Sequence, residues 1–225
     1  MATIYATNDG DINKNIAANF GGSWDACRDA TSGVVASGGA STTYGFTRVV
    51  VFTYSGHLRW IIHRVFMEFD TSGISTAPSE ATLKIYGTSN SSSDIIVVKG
   101  TQSDTLTGTD YDNLDFSTAY SAELATWSTS GYNDITLNAT ARQAMVDNDN
   151  FKIAIINYDY DYLDVDPGSS ISLNHGGYYS EADLEYRPYI DYTPGFVAEV
   201  SHSRVISNGG DINLTGGSLQ IGEGL

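Results

Sequence analysis

The sequence predicts an all-β sandwich with one short helix and a small C-terminal β extension. Three observations predict it. The stretch Leu58–Asp70 is long, rich in β-branched and aromatic residues, and free of Gly and Pro. Two-residue alternation places Ile61, Val65, Met67 and Phe69 on one face with His63. Trp60, Ile62 and Phe66 share the other with Arg64 and Glu68. That is the pattern of an inner strand. Second, Ala81–Tyr86 alternates cleanly, with Ala81, Leu83 and Ile85 inward and Thr82 and Lys84 outward. Third, charged residues make up only 17% of the chain while 23 glycines and many Ser, Thr, Asn and Asp punctuate it, as in short strands joined by turns.

The 225 residues suit one sandwich domain over 1–195 and an extension over 196–225. The net charge of −16 disfavours nucleic acid and anionic lipid as partners. No apolar run approaches the roughly 20 residues of a membrane span. Cys27 is the one cysteine, so no disulfide forms within the chain. The first residues carry neither a basic nor an apolar leader region, so the chain is expected to be made in a cytoplasm without a signal peptide.

Along the chain, residues 2–5 read as a short edge strand and Asn8–Asp11 as a turn. Phe20–Gly45 reads as loop, with Trp24 as a plug over the sandwich edge or, less favoured, a sugar-stacking platform. Thr47–Tyr54 pairs with the inner strand through the Ser55–Gly56 turn. Asp94–Lys99 is a further strand. Residues 100–131 are irregular, anchored by Tyr111, Leu114, Phe116, Tyr120 and Trp127. Asn138 caps a helix over Ala139–Val146. Phe151–Asn157 is apolar on both faces and forms a second inner strand. Ile171–Asn174 is a short strand, His175–Gly177 a loop, and Tyr186–Thr193 the closing strand. The extension alternates at Ile212, Leu214, Leu219 and Ile221, too little apolar surface to stand alone, so it docks on a neighbour.

The run Asn157–Asp166 concentrates candidate chemistry. Read as extended chain, it sets Asp159 and Asp161 on one face and Tyr158, Tyr160 and Tyr162 on the other, with Asp164 and Asp166 at the following turn. Asp159, Asp161, Asp164 and Asp166 are candidate ligands for a structural Ca²⁺, although the loop lacks the Gly and terminal Glu of an EF-hand. A solvated acidic edge fits the same residues. The three tyrosines, with Tyr178, Tyr179 and Trp127, are candidate stacking surfaces for sugar rings, and the same alternation serves cross-strand packing. Arg64 is expected to pair with Glu68 or Asp70. The four histidines show no metal-ligand spacing, and no G-x-S-x-G, H-E-x-x-H or P-loop occurs.

Four segments in order resemble the DNRLRE-type modules classed with carbohydrate-binding family 96 and disaggregatase-related domains. His63–Ser72 is similar to their R-x-φ-L-x-F-D-l-S strand and Ala81–Tyr86 to the strand that follows. Trp127 with Asn133–Leu137 fits the next landmark, and Tyr179–Glu181 with Arg187–Tyr192 the closing one. The segment from Thr109 to Pro167 also resembles versions found in marine phage virion proteins. The resemblance implies a jelly-roll sandwich of a family that in several cases binds polysaccharide. The resulting expectation is a non-catalytic structural or binding module of a phage-like virion (decoration, fibre or tail component), oligomeric and joined to other subunits through 196–225. A carbohydrate-binding or matrix protein of a bacterial surface is the alternative, and a polysaccharide-degrading enzyme the second.

Overall fold

The computed structural model describes residues 1–38, 44–91 and 94–196, so all but the first residue of the expected extension at 196–225 lies outside the described residues. The described chain folds as an all-β sandwich. Its strands are β1 (Ala2–Ala17), β2 (Val34–Gly38), β3 (Tyr44–Tyr54), β4 (His57–Asp70), β5 (Glu80–Asn90) and β6 (Ile95–Gly100). They continue with β7 (Leu114–Ala119), β8 (Tyr132–Thr136), β9 (Asn150–Asn157), β10 (Ile171–Tyr178) and β11 (Tyr189–Thr193). Among the described residues there are two α-helices, α1 (Trp24–Arg28) and α2 (Ala139–Asp147).

Strand β4 organises the larger sheet. One edge pairs with β1 from Ala6↔Phe69 to Ala17↔Arg59. The other edge is shared: its first half pairs with β3 and its second half with β9. The Thr47 hydroxyl donates to the Ile155 carbonyl across this division. β3 continues into β10, and β9 into β6 and β7. The smaller sheet runs β1–β11–β5–β8, all antiparallel. β1 and β5 belong to both sheets: residues 2–5 of β1 pair with β11, and residues 87–90 of β5 pair with β10. Sharing strands closes both ends of the sandwich without leaving those edges open.

The inward residues predicted for the core fill the space between the sheets. Val65, Met67, Phe69, Leu83, Ile85, Ile153 and Ile155 are all at 5% exposure or less and pack in one cluster. The other face of β4 is also buried. Trp60, Ile62 and Phe66 join Ile12, Trp24, Cys27, Val49, Tyr111 and Ile156 in a second cluster outside the large sheet. Its cover is α1, the 3₁₀ turn Gly108–Asp112 and the segment after β9.

Several local expectations are corrected by this second layer. The turn chemistry of Asn8–Asp11 is overridden: β1 continues through it because β4 offers a full ladder of partners, with a bulge between Ala6 and Asn8 absorbing the irregularity. Phe20–Gly45 holds α1 and β2 rather than loop alone, and Trp24 is a buried plug at 2% exposure. Ser23 caps α1 by accepting from the Ala26 N–H. His175–Gly177 is strand, within β10. The β3–β4 hairpin and α2 form as expected. Ser55 and Gly56 both take positive φ, the geometry of a type I′ turn, and Asn138 accepts from the Ala141 N–H.

Candidate functional site

The acidic tyrosine run does not extend β9. Tyr158–Tyr162 is a single π-helical turn, capped by the Asn157 side chain, which accepts from the Tyr160 N–H at 2.8 Å. Helical winding undoes the two-face reading: Tyr158 and Tyr162 come together and stack at 5.6 Å, while Tyr160 packs on the second core beside them. The aspartates are dispersed to separate partners. Asp161 is fully buried and accepts from Arg64 through both oxygens, at 2.7 and 2.9 Å. Asp159 accepts from the Asp94 N–H. Asp164 accepts from the Trp24 indole and pairs with Arg28, and Asp166 accepts from the Trp60 indole. Among the described residues no three acidic, His or Cys side chains converge on a metal position.

Arg64 thus finds its partner on a distant turn rather than in Glu68 or Asp70 on its own strand. It also donates to the Tyr111 and Arg28 carbonyls, and its guanidinium lies 4.2 Å from the Tyr111 ring centroid. Burial opposes the charge, but the Asp161 carboxylate more than restores it and keeps Arg64 protonated. The acidic run is a latch over the second core, with two tryptophan indoles and one buried arginine as its catches.

Two further sequence candidates lie in the main core and at its end. Tyr179 is at 1% exposure in the main core, its hydroxyl donating to Asp11 at 3.3 Å. Gly45 permits this, because a Cβ there would overlap the Tyr179 ring. Trp127 is half-buried, donates to the Gly176 carbonyl and meets His175 edge-on at 5.5 Å. It closes one end of the sandwich over a cavity of about 20 Å³, room for about one water.

Tyr178 belongs to a different assembly. Outward positions of the small sheet and its flank bring six tyrosines together: Tyr5 on β1, Tyr86 on β5, Tyr132 on β8, Tyr178 on β10, Tyr189 on β11, and Tyr186 just before β11. Register explains part of this. Tyr5 lies directly opposite Tyr189, and Tyr86 directly opposite Tyr132. Ring centroids run Tyr5–Tyr189 at 5.7 Å, Tyr189–Tyr132 at 5.0 Å and Tyr132–Tyr86 at 5.4 Å. Tyr86 then meets Tyr186 at 4.8 Å and Tyr178 at 5.8 Å, and Tyr178 stacks on Tyr186 at 5.0 Å. Tyr5 is 41% exposed and the other five are half-buried, so a continuous aromatic surface faces solvent.

The polar groups around this surface are mostly acidic. Lys84 is tied to Asp134, both oxygens at 2.7 Å. Burial alone lowers the Lys84 pKa, but the Asp134 pair outweighs it and holds the amine above its usual value. Asp191 accepts from Thr3 across the strand pair. The Tyr132 hydroxyl donates to the Glu185 and Arg187 carbonyls, and burial with the neighbouring tyrosines pushes it up to about 12. Tyr132 is therefore fixed in place and neutral at any physiological pH. Beyond Tyr132 the surface continues into a shallow groove of about 530 Å³ lined by Leu124, Trp127, Asn133 and Asp134.

Sequence reasoning found Tyr178 and missed the other five. Outward alternation marked Lys84 on β5, and Tyr86 shares its face. The signal that combines them is the register of five strands, which no local pattern carries.

Comparison with known proteins adds a family. No curated protein matches the chain. The model of carbohydrate-binding module family 96 matches residues 26–172, which take in both inner strands, Tyr86, Tyr132 and Trp127. On that match, over a fold of the expected class, the chain belongs to carbohydrate-binding module family 96.

Proposed function

We propose that this domain is a non-catalytic polysaccharide-binding module that holds a neutral glycan across the tyrosine surface of its small sheet. The observation that carries the reading is the unbroken series of six tyrosine rings across the solvent-facing side of the small sheet and its flank. Aromatic faces present large, rigid apolar area at low entropic cost, which suits the C–H faces of sugar rings. Carboxylates and hydroxyls at the rim (Asp134, Asp191 and Thr3) supply acceptors and donors for sugar hydroxyls. Membership of the family supports glycan as the ligand class. The local acidity, on a chain of net charge −16, argues against an acidic polysaccharide.

Affinity electrophoresis against neutral and uronate-bearing polysaccharides tests this. Retardation by a neutral polymer, insensitive to salt, supports the reading. Retardation by acidic polymers alone, falling with salt, contradicts it. Attachment of the domain to a larger assembly through 196–225, in its narrowest form a phage-like particle, is a separate proposal. A chain ending at residue 195 should then fold and bind glycan yet lose self-association or particle attachment.

A further inference from the structure

The strand β1 and the segment between β10 and β11 meet through carboxyl groups. Asp9 is at 3% exposure, and its Oδ2 accepts from the Ser180 N–H at 2.7 Å. Its other oxygen, Oδ1, is buried and finds no donor among the described residues. The Glu181 carboxyl faces it, and Glu181 Oε2 is likewise buried and without a donor. Two carboxyls that turn oxygens toward each other repel when both are ionised and bond when they hold one proton between them. The neighbouring contacts fix the place but do not supply that proton. Tyr179 donates to Asp11, Asp11 is paired with His63 at 2.7 Å, and Arg187 donates to the Ala182 carbonyl. Arg48, on β3 beside His63, has a buried Nε without an acceptor among the described residues. None of Asp11, His63, Arg48 or Arg187 hydrogen-bonds to either carboxyl among the described residues.

We propose that a proton held by Asp9 toward the Glu181 carboxylate is a latch that holds the segment 179–187 against β1, and that the latch releases when Asp9 ionises. Burial is the main force, with the Glu181 charge adding to it; together they push Asp9 up to about 7, against a lowering by the Ser180 N–H. A carboxyl raised in the fold contributes stability that is complete below its unfolded value near 3.8 and is lost as pH rises to about 7. The released segment carries Tyr186 and follows directly on Tyr178, the stacked pair of the tyrosine surface. A consequence, resting on the glycan-binding reading, is that affinity falls as pH passes from 6 to 8. The latch itself does not depend on that reading.

The test therefore uses the free protein. Thermal melts of the full chain, the Asp9→Asn variant and the Glu181→Gln variant are compared from pH 5 to pH 8.5. Amide exchange of residues 179–187, corrected for intrinsic rate, is followed at pH 6 and pH 8. The expected result is a wild-type Tm that falls by about 5 °C up to pH 7 and then levels. At least one amide variant should show a flatter profile, with a Tm at pH 8 no lower than wild type. Exchange in 179–187 should rise at pH 8 in the wild type and not in that variant. Parallel pH profiles for wild type and both variants overturn the proposal. So does full restoration of wild-type stability at pH 8 by Ca²⁺, which would assign the two carboxyls to a cation instead of a proton.

Discussion

Arg64 has no exposed atoms, and its charge is met by a carboxylate that is itself fully buried. Removing one partner of such a pair leaves an uncompensated charge in the interior, which typically costs about 3–5 kcal/mol. Asp161→Ala should therefore lower the unfolding free energy by roughly that amount in urea denaturation. Replacing both partners with apolar residues, Arg64→Met with Asp161→Leu, should recover most of the loss. Asp110 makes the opposite kind of carboxyl from Asp9. Burial raises its pKa, but the Ser103 and Thr107 N–H groups and the Asn113 side chain outweigh burial and hold it down at about 2. A carboxylate lowered in the fold stabilises above its unfolded value and loses that contribution as pH falls through its folded one. Stability should thus decline between about pH 4 and pH 2, and Asp110→Asn should flatten that decline in acid melts. Single residues such as Trp24 and Tyr111 were legible as anchors because large aromatics seek burial wherever the fold offers it. The roles of Asp159, Asp161, Asp164 and Asp166 were not. Their partners Arg64, Trp24, Trp60 and Asp94 lie 65 to 140 residues away in the chain.

At the scale of elements, the strands with clear alternation formed where the pattern placed them. β5 is set by an apolar face that admits one register, since a one-residue slip would turn Leu83 outward. The π-helical turn at Tyr158–Tyr162 is the place where the pattern misled. Alternating Tyr and Asp reads as strand, yet Asn157 caps a helical turn and Arg64 draws Asp161 inward. Tertiary pairing won over local period. Asn157→Ala should remove the cap and cost about 1 kcal/mol, measurable as a lower urea midpoint. At the β3–β4 hairpin, Gly56 has φ +78°, so Gly56→Ala should destabilise by about 1 kcal/mol for conformational reasons alone. β1 was misread for a related reason. Its Asn, Asp and Gly residues carry turn chemistry, but Asp9 and Asp11 have buried uses across the sandwich.

On the scale of the whole molecule, two layers of burial surround β4, and they have divided the labour. The outer layer, from α1 to the π-helical turn, buries Arg64, Trp24, Trp60 and Asp161, and Asp164 and Asp166 accept from the two indoles at its surface. The small sheet on the opposite side leaves its aromatic residues at the surface. The fold class and most of the inner core could be read from alternation, because burial acts on each strand separately. The tyrosine surface could not, because it is assembled from five strands and a flanking turn between residues 5 and 189. The most direct test is the dissociation constant for a neutral polysaccharide bound by the wild type, by Tyr178→Ala with Tyr186→Ala, and by the control Tyr162→Ala. Calorimetry on chains shown by melting to be folded should give at least about tenfold weaker binding for the first variant, or 1.4 kcal/mol. The control should bind as the wild type does. Equal binding by all three, or loss in the control alone, would contradict the assignment of glycan to the small sheet.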